Sequence, residues 1–205
     1  MTDLPTAQPA DASDDVRTLA QITDTVVAAA RAAGDEVTDR TVIVAIDGRS
    51  GAGKTSLAEL VAERLAAPVV HMDDIYPGWD GLAAALPVLA DEVLIPLRSG
   101  EPGVFRRWDW AAGEHGGELE VPVAPFVVVE GCGSSVGPAG QLADLRVWLD
   151  ADAEQRRARG LTRDAGSFDE QWDSWAQQED ELFEADGTRE HADLVFDTTD
   201  IAATD

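Results

Sequence analysis

Lysine is almost absent from this chain. Fourteen of its 15 basic residues are Arg, and the only lysine among 205 residues is Lys54. Those bases face 40 acids, leaving a formal charge of −25 at pH 7 and an isoelectric point near 4.1. So acidic a chain lacks the clustered cations that neutralise a phosphate backbone, which excludes a nucleic-acid binder. It is equally unsuited to anionic lipid. Any anionic ligand must be held locally, against the field of the whole molecule. A single cysteine, Cys132, cannot close an internal disulfide, so a reducing, cytoplasmic setting is expected. No apolar run approaches the roughly 18–20 residues that span a membrane, and four acids precede the first base, Arg17, so no secretory leader is expected.

What is present suits one globular domain. The chain is 44% apolar, enough for a sizeable core. Residues 1–17 are rich in Pro, Ala, Asp and Ser without apolar periodicity and read as a disordered acidic tail; residues 18–205 form the domain. Leu19, Ile22, Val26 and Val27 fall at helical spacing, predicting a helix over 18–33 that Gly34 closes. Four apolar runs, Thr41–Asp47, Val69–Met72, Phe126–Glu130 and Leu145–Asp150, together with Ala192–Asp197, read as strands buried on both faces, the pattern of a parallel sheet. Helical patterns alternate with them at about 55–66, 80–98, 152–164 and 168–185, with Pro87 and Pro96 blurring the bounds of 80–98. Residues 99–125 are loop-rich and read as an excursion from the sheet. Alternating strands and helices predict an α/β, three-layer domain with a mainly parallel sheet and a small Arg-bearing lid near 152–167.

The lone lysine sits in a motif. Gly48, Arg49, Ser50, Gly51, Ala52, Gly53, Lys54 and Thr55 fit GxxxxGK(S/T), between a buried strand and a helix as that motif requires. Its glycines let backbone N–H groups wrap phosphates closely, and the helix N-terminus adds its positive dipole end. Lys54 is expected to reach the β- and γ-phosphates and Thr55 to ligate Mg²⁺. Guanine-specific switches usually add NKxD and DxxG, which are absent; a small-molecule kinase fits a chain of this length better than a motor ATPase.

Carboxylates and arginines supply the rest of a candidate site. Asp73 and Asp74 end the second strand, where ligands gather in doubly wound sheets. Asp73 can orient or deprotonate a phosphoryl acceptor, and the alternative is a loop or N-cap pair; His71 beside them reads as structural. Glu130 ends the third strand, where it either holds Mg²⁺ or is an incidental strand-end acid. Cys132 reads as a packing residue. Arg156, Arg159 and Arg163 share one helical face, to stabilise a transferring phosphoryl group or to pair with surface acids, and Gly160 between them suggests a hinge. Trp108 and Trp110 at strand spacing share a face opposite Asp109, which suits stacking on a base or another planar group while Asp109 accepts ribose hydroxyls, or else plain packing.

In this order and spacing, residues from about Val42 to Asp197 resemble the uridine kinase family, related to phosphoribulokinase and bacterial pantothenate kinase. GRSGAGKTS, including Ser56, is similar to that family's G-x-SGSGKT loop, DDIY to its D-x-F-Y, VVVEG to its Walker-B-like strand and ARGLTRD to its RRI-x-RD lid signature. The resemblance implies ATP and Mg²⁺ as cofactors. It implies Asp73 as the acceptor-side base with Tyr76 beside it, a magnesium role for Glu130, and phosphate contacts for Arg159 and Arg163. The histidine that the family commonly places three residues after D-F is missing after Trp108-Asp109-Trp110, and His115 is out of register with it. The expected activity is phosphorylation of an alcohol on a small metabolite, with a nucleoside as the leading acceptor. The alternatives are a non-nucleoside acceptor, such as a pantothenate-like or sugar alcohol, and a regulatory nucleotide switch. The oligomeric state stays open.

Overall fold

In a computed structural model, residues 17–37, 39–163 and 170–201 are described. The predicted acidic tail, the residues at 164–167 of the predicted lid and the side chain of Arg163 lie outside them. Five strands, β1 (Val42–Gly48), β2 (Val69–His71), β5 (Phe126–Glu130), β6 (Leu145–Asp150) and β7 (Leu194–Asp197), form one sheet in the order β2-β5-β1-β6-β7. Every pairing in it is parallel. Parallel strands need helical crossovers on both faces, which explains why β1 and β5 read as unbroken β-branched runs.

Alternate residues of these strands feed two cores. Val44, Ile46, Val128, Val147 and Leu149 pack under α1 (Leu19–Asp35) and α2 (Lys54–Leu65). Ile43, Val127, Val129 and Trp148 pack on the opposite face. That face is covered by a helical run, α3 (Leu82–Val88) and α4 (Ile95–Arg98) joined by a π-helical stretch at Leu89–Leu94, and by α5 (Pro138–Leu142) and α7 (Trp172–Asp186). The domain is therefore three-layered, as the sequence predicts.

The expected helix at 80–98 is present from Leu82 to Arg98 despite Pro87 and Pro96: Pro96 stands in the first turn of α4, where its missing N–H is dispensable. Three details depart from the sequence reading. Gly34 does not end α1 but lies inside it, where it leaves room for the Phe126 ring, 3.1 Å from where a Cβ would sit. The loop-rich stretch 99–125 contains an antiparallel pair, β3 (Gly103–Asp109) and β4 (Glu114–Val121), outside the main sheet. Gly160, within α6 (Ala153–Arg163), is a packing glycine rather than a hinge, since a Cβ on it would sit 2.4 Å from the Trp172 ring.

Candidate active site

The site grows from the carboxyl ends of β1, β2 and β5. β1 ends in Asp47-Gly48 and turns into the glycine-rich loop. At Gly48, φ is +138° and a Cβ would strike the Leu149 carbonyl at 2.2 Å; at Gly51, φ is +79° and a Cβ would meet the Arg156 carbonyl at 2.1 Å. Only glycine lets the loop pass this close to β6 and α6. We expect Gly51→Ala to push α6 off the loop and to cost about 2–4 kcal/mol of stability, read as a lowered urea midpoint.

Lys54 opens α2 with 8% of its surface exposed. Its Nζ donates to the Arg49 carbonyl at 3.0 Å and reaches Cys132 Sγ at 3.5 Å. Burial works against its charge, but Cys132 and the carboxylates of Glu179, Glu130 and Asp47 around it together hold the ammonium above its ordinary value. It is thus a buried, fully charged cation next to the loop amides, rather than a cation on an open surface loop.

The parallel register His71↔Glu130 sets two side chains next to each other. His71 Nδ1 lies 2.7 Å from Glu130 Oε1, and Thr55 Oγ1 donates to the same oxygen at 3.3 Å. Its bond with Glu130 is the main reason the His71 ring holds its proton more tightly than usual. Thr55 and Glu130 therefore present two hard oxygens side by side, a donor set that suits Mg²⁺, which takes one or two protein ligands plus phosphate and water. Among the described residues no cluster of three or more His, Cys, Asp and Glu forms a self-contained metal cage.

Asp73 and Asp74 fall in a 3₁₀ turn directly after β2. Asp73 is exposed at the end of the sheet, and its carbonyl accepts from Trp110 Nε1 at 2.8 Å. Asp74 is instead tied to Arg107 Nε on β3 at 2.6 Å. The hairpin is thereby pinned over the end of β2 by both neighbours.

The aromatic residues are sorted differently from the expectation. Tyr76, expected at the substrate, is 1% exposed and spends its hydroxyl on the Cys132 carbonyl at 2.8 Å; it is a wall behind the site. Trp108 and Trp110 do not share one strand face, because β3 ends at Asp109 and carries a register shift between Arg106 and Trp108. Trp108 meets the edge of His115, and Trp110, 40% exposed, leans on Trp79 with ring centroids 4.8 Å apart. Asp109 Oδ1 accepts the Ala111 and Ala112 amides and so caps the hairpin turn, a role that occupies the oxygen expected to meet a substrate.

The arginines of α6 also find unforeseen partners. Arg156 donates to the Ser50 and Ala151 carbonyls. Arg159 donates to the carbonyls of Thr198, Thr199 and Ile201 at 2.8–2.9 Å. Both seat α6 on the loop backbone and on the segment after β7, which is neither surface ion pairing nor an open lid.

Two buried carboxylates escaped the sequence reading. Asp47 accepts four hydrogen bonds, from the amides of Gly48, Gly133 and Ser135 and the Ser135 hydroxyl, at 2.7–2.9 Å. Its only sequence signal was an acid ending an apolar run. Burial pushes its carboxyl up to about 6, against those bonds and the Lys54 charge. Asparagine could accept on one side only, so Asp47→Asn is expected to cost on the order of 3 kcal/mol. Because the folded value lies above the free-chain 3.8, the folded chain holds that proton more tightly. The wild-type advantage should therefore shrink as pH rises from about 4 to about 6 and stay flat above. Urea unfolding of both proteins across that range measures it. Glu179, the second, comes from α7 and is 1% exposed; its Oε1 accepts from the Ser50 amide at 2.8 Å, Cys132 Sγ at 3.0 Å and Trp175 Nε1 at 3.0 Å. Cys132 is thus no mere packing residue but touches the loop's lysine and Glu179.

A phosphate loop at the end of a central parallel strand, with a strand-end carboxylate beside its threonine, defines the P-loop NTPase fold. Solved structures share it. The chain superposes on a protein described as a possible uridine kinase from Bacillus stearothermophilus with a TM-score of 0.59 at 21% identity, covering 82% of this chain and 98% of that one. A candidate fructose transport system kinase from Silicibacter sp. TM1040 matches with a TM-score of 0.54 at 20% identity, over 88% and 99% of the two chains. The YGR205w protein matches with a TM-score of 0.56 at 10% identity, over 89% and 95%. No protein-family model and no curated protein sequence matches the chain. At these identities the likeness is one of fold: this chain has the P-loop fold in the form that the two kinase-described structures also carry. No helix among the described residues is long and apolar enough to cross a membrane.

Proposed function

We propose that the protein is an ATP- and Mg²⁺-dependent kinase that transfers a phosphoryl group to an alcohol of a small metabolite. The observation that carries this reading is Asp73, an exposed carboxylate directly after β2, at the same carboxyl edge of the sheet from which the phosphate loop springs. A nucleotide switch has no need of an acceptor-side base, whereas a kinase does. Lys54 and the loop amides of residues 48–56 hold the phosphates, and Thr55 and Glu130 hold the metal, which neutralises phosphate charge when bound. Asp73 orients the acceptor hydroxyl and takes its proton. Arg159 and Arg163, as the family resemblance implies, serve the phosphates from α6. For Arg159 this requires releasing the backbone carbonyls of Thr198, Thr199 and Ile201.

A nucleoside is the leading acceptor, by the resemblance and by the tryptophans Trp79 and Trp110 beside Asp73, which offer a planar group a stacking surface. A sugar or pantothenate-like alcohol is the second reading, favoured by the missing histidine after Trp110. The test is ADP release by the full chain with ATP, Mg²⁺ and a panel of nucleosides, pantothenate and sugars. Release that rises only with one class of acceptor is expected; release indifferent to every acceptor would return the protein to the switches.

A further inference from the structure

The loop amide of Ser50 belongs to the run that must cradle phosphate, yet in this structure it is given to the Glu179 carboxylate at 2.8 Å. Arg49, one residue earlier, is held by the neighbouring Asp180 of α7. Its guanidinium lies 5.8 Å from the centre of the Phe183 ring on the same helix. One helix thus grips the first half of the phosphate loop with two carboxylates and an aromatic ring.

Glu179 is not a finished structural contact. Its Oε1 carries three donors, while Oε2, equally buried, finds no hydrogen-bond partner among the described residues. A buried carboxylate with an unsatisfied oxygen is costly. What compensates it on the loop side is the Ser50 amide and the charge of the nearby buried Lys54 ammonium, which Glu179 helps to sustain. Those are the groups that bind a phosphate.

We propose that Glu179 is an internal anion that competes with phosphate for the loop and that an entering nucleotide must displace. This rests on reading the loop as a nucleotide site, as above. Two anions cannot share the same donors at close range, so nucleotide binding pushes the carboxylate out and moves α7 with it. α7 also bears Trp175, whose ring lies 4.9 Å from Tyr76 and 6.1 Å from Trp79, and Gln178, which donates to the Trp79 carbonyl at 2.8 Å. Displacement therefore reaches the tryptophans next to Asp73, linking the nucleotide site to the acceptor side. Glu179 acts through the loop and α7 and is a positioning residue.

The test compares the wild-type chain with Glu179→Gln, which keeps the shape and an acceptor oxygen but removes the charge. Calorimetric titration with Mg²⁺ and a non-hydrolysable ATP analogue is expected to give about tenfold or tighter binding in the variant, since the competing anion is gone. A carboxylate that merely braces the fold predicts equal or weaker binding, and that result overturns the proposal. Should the variant unfold, the wild type alone decides. The analogue should shift tryptophan emission and loosen hydrogen exchange over 172–186, with the emission shift much reduced in Trp175→Phe, and unchanged emission and exchange overturn it. If the wild type binds no nucleotide, the reading of the site fails with it; if it binds and the two proteins do not differ in this way, only the displacement idea fails.

Discussion

In Lys54→Met, phosphoryl transfer is expected to fall by about 10²–10³-fold or more while the chain stays folded. The substitution keeps an unbranched stem of similar length in the same slot, so packing under α2 survives. What disappears is the ammonium that faces Glu179, Glu130 and Asp47. The site then holds acids without their cation, in a chain whose net charge is −25, and no second lysine exists to take over. Nucleotide affinity and transfer should both suffer, with transfer losing more, because negative charge on the phosphates grows most where the transferring group is between partners. Single-turnover kinetics separate the two. A variant that is folded and turns over like the wild type would refute the role given to this residue.

Asp73→Asn is expected to lower kcat by about 10²–10⁴-fold with nucleotide affinity little changed. Asparagine keeps the turn after β2 but cannot take a proton. Asp74→Asn should do much less to kcat, because Asp74 is committed to Arg107; its loss loosens the hairpin instead. The pair forms an internal control, with the same chemistry at neighbouring positions. Equal losses in both, or a loss confined to nucleotide binding, would remove Asp73 from the acceptor side.

The strands and the loop were legible in the sequence for a common physical reason. β1 and β5 are buried on both faces and therefore apolar up to their terminal acids, and the loop's glycines answer to contacts of 2.1–2.2 Å with backbone at Gly51 and Gly48. Local pattern and tertiary demand coincide there. They part company where a residue's role depends on a partner far along the chain. Glu179 looks like one acid among many on an acidic helix until α7 is seen against the loop, 129 residues from Ser50. Asp47 is equally silent, because its partners Gly133 and Ser135 arrive from another turn. Gly34 and Gly160 were misread by the same route: helix propensity makes glycine a terminator or hinge, while here each makes room for an aromatic ring from a distant element. Trp108 and Trp110 would alternate cleanly on a regular strand, but β3 stops at Asp109.

The central claim, that this loop and Asp73 serve transfer of phosphate to an alcohol, is tested most directly by the identity of the product. Phosphorus NMR of the full chain with ATP, Mg²⁺ and the best acceptor from the panel should show a new phosphomonoester accumulating in step with ADP. That signal should be lost in Asp73→Asn. Inorganic phosphate in step with ADP, with no phosphomonoester for any acceptor, would contradict the account.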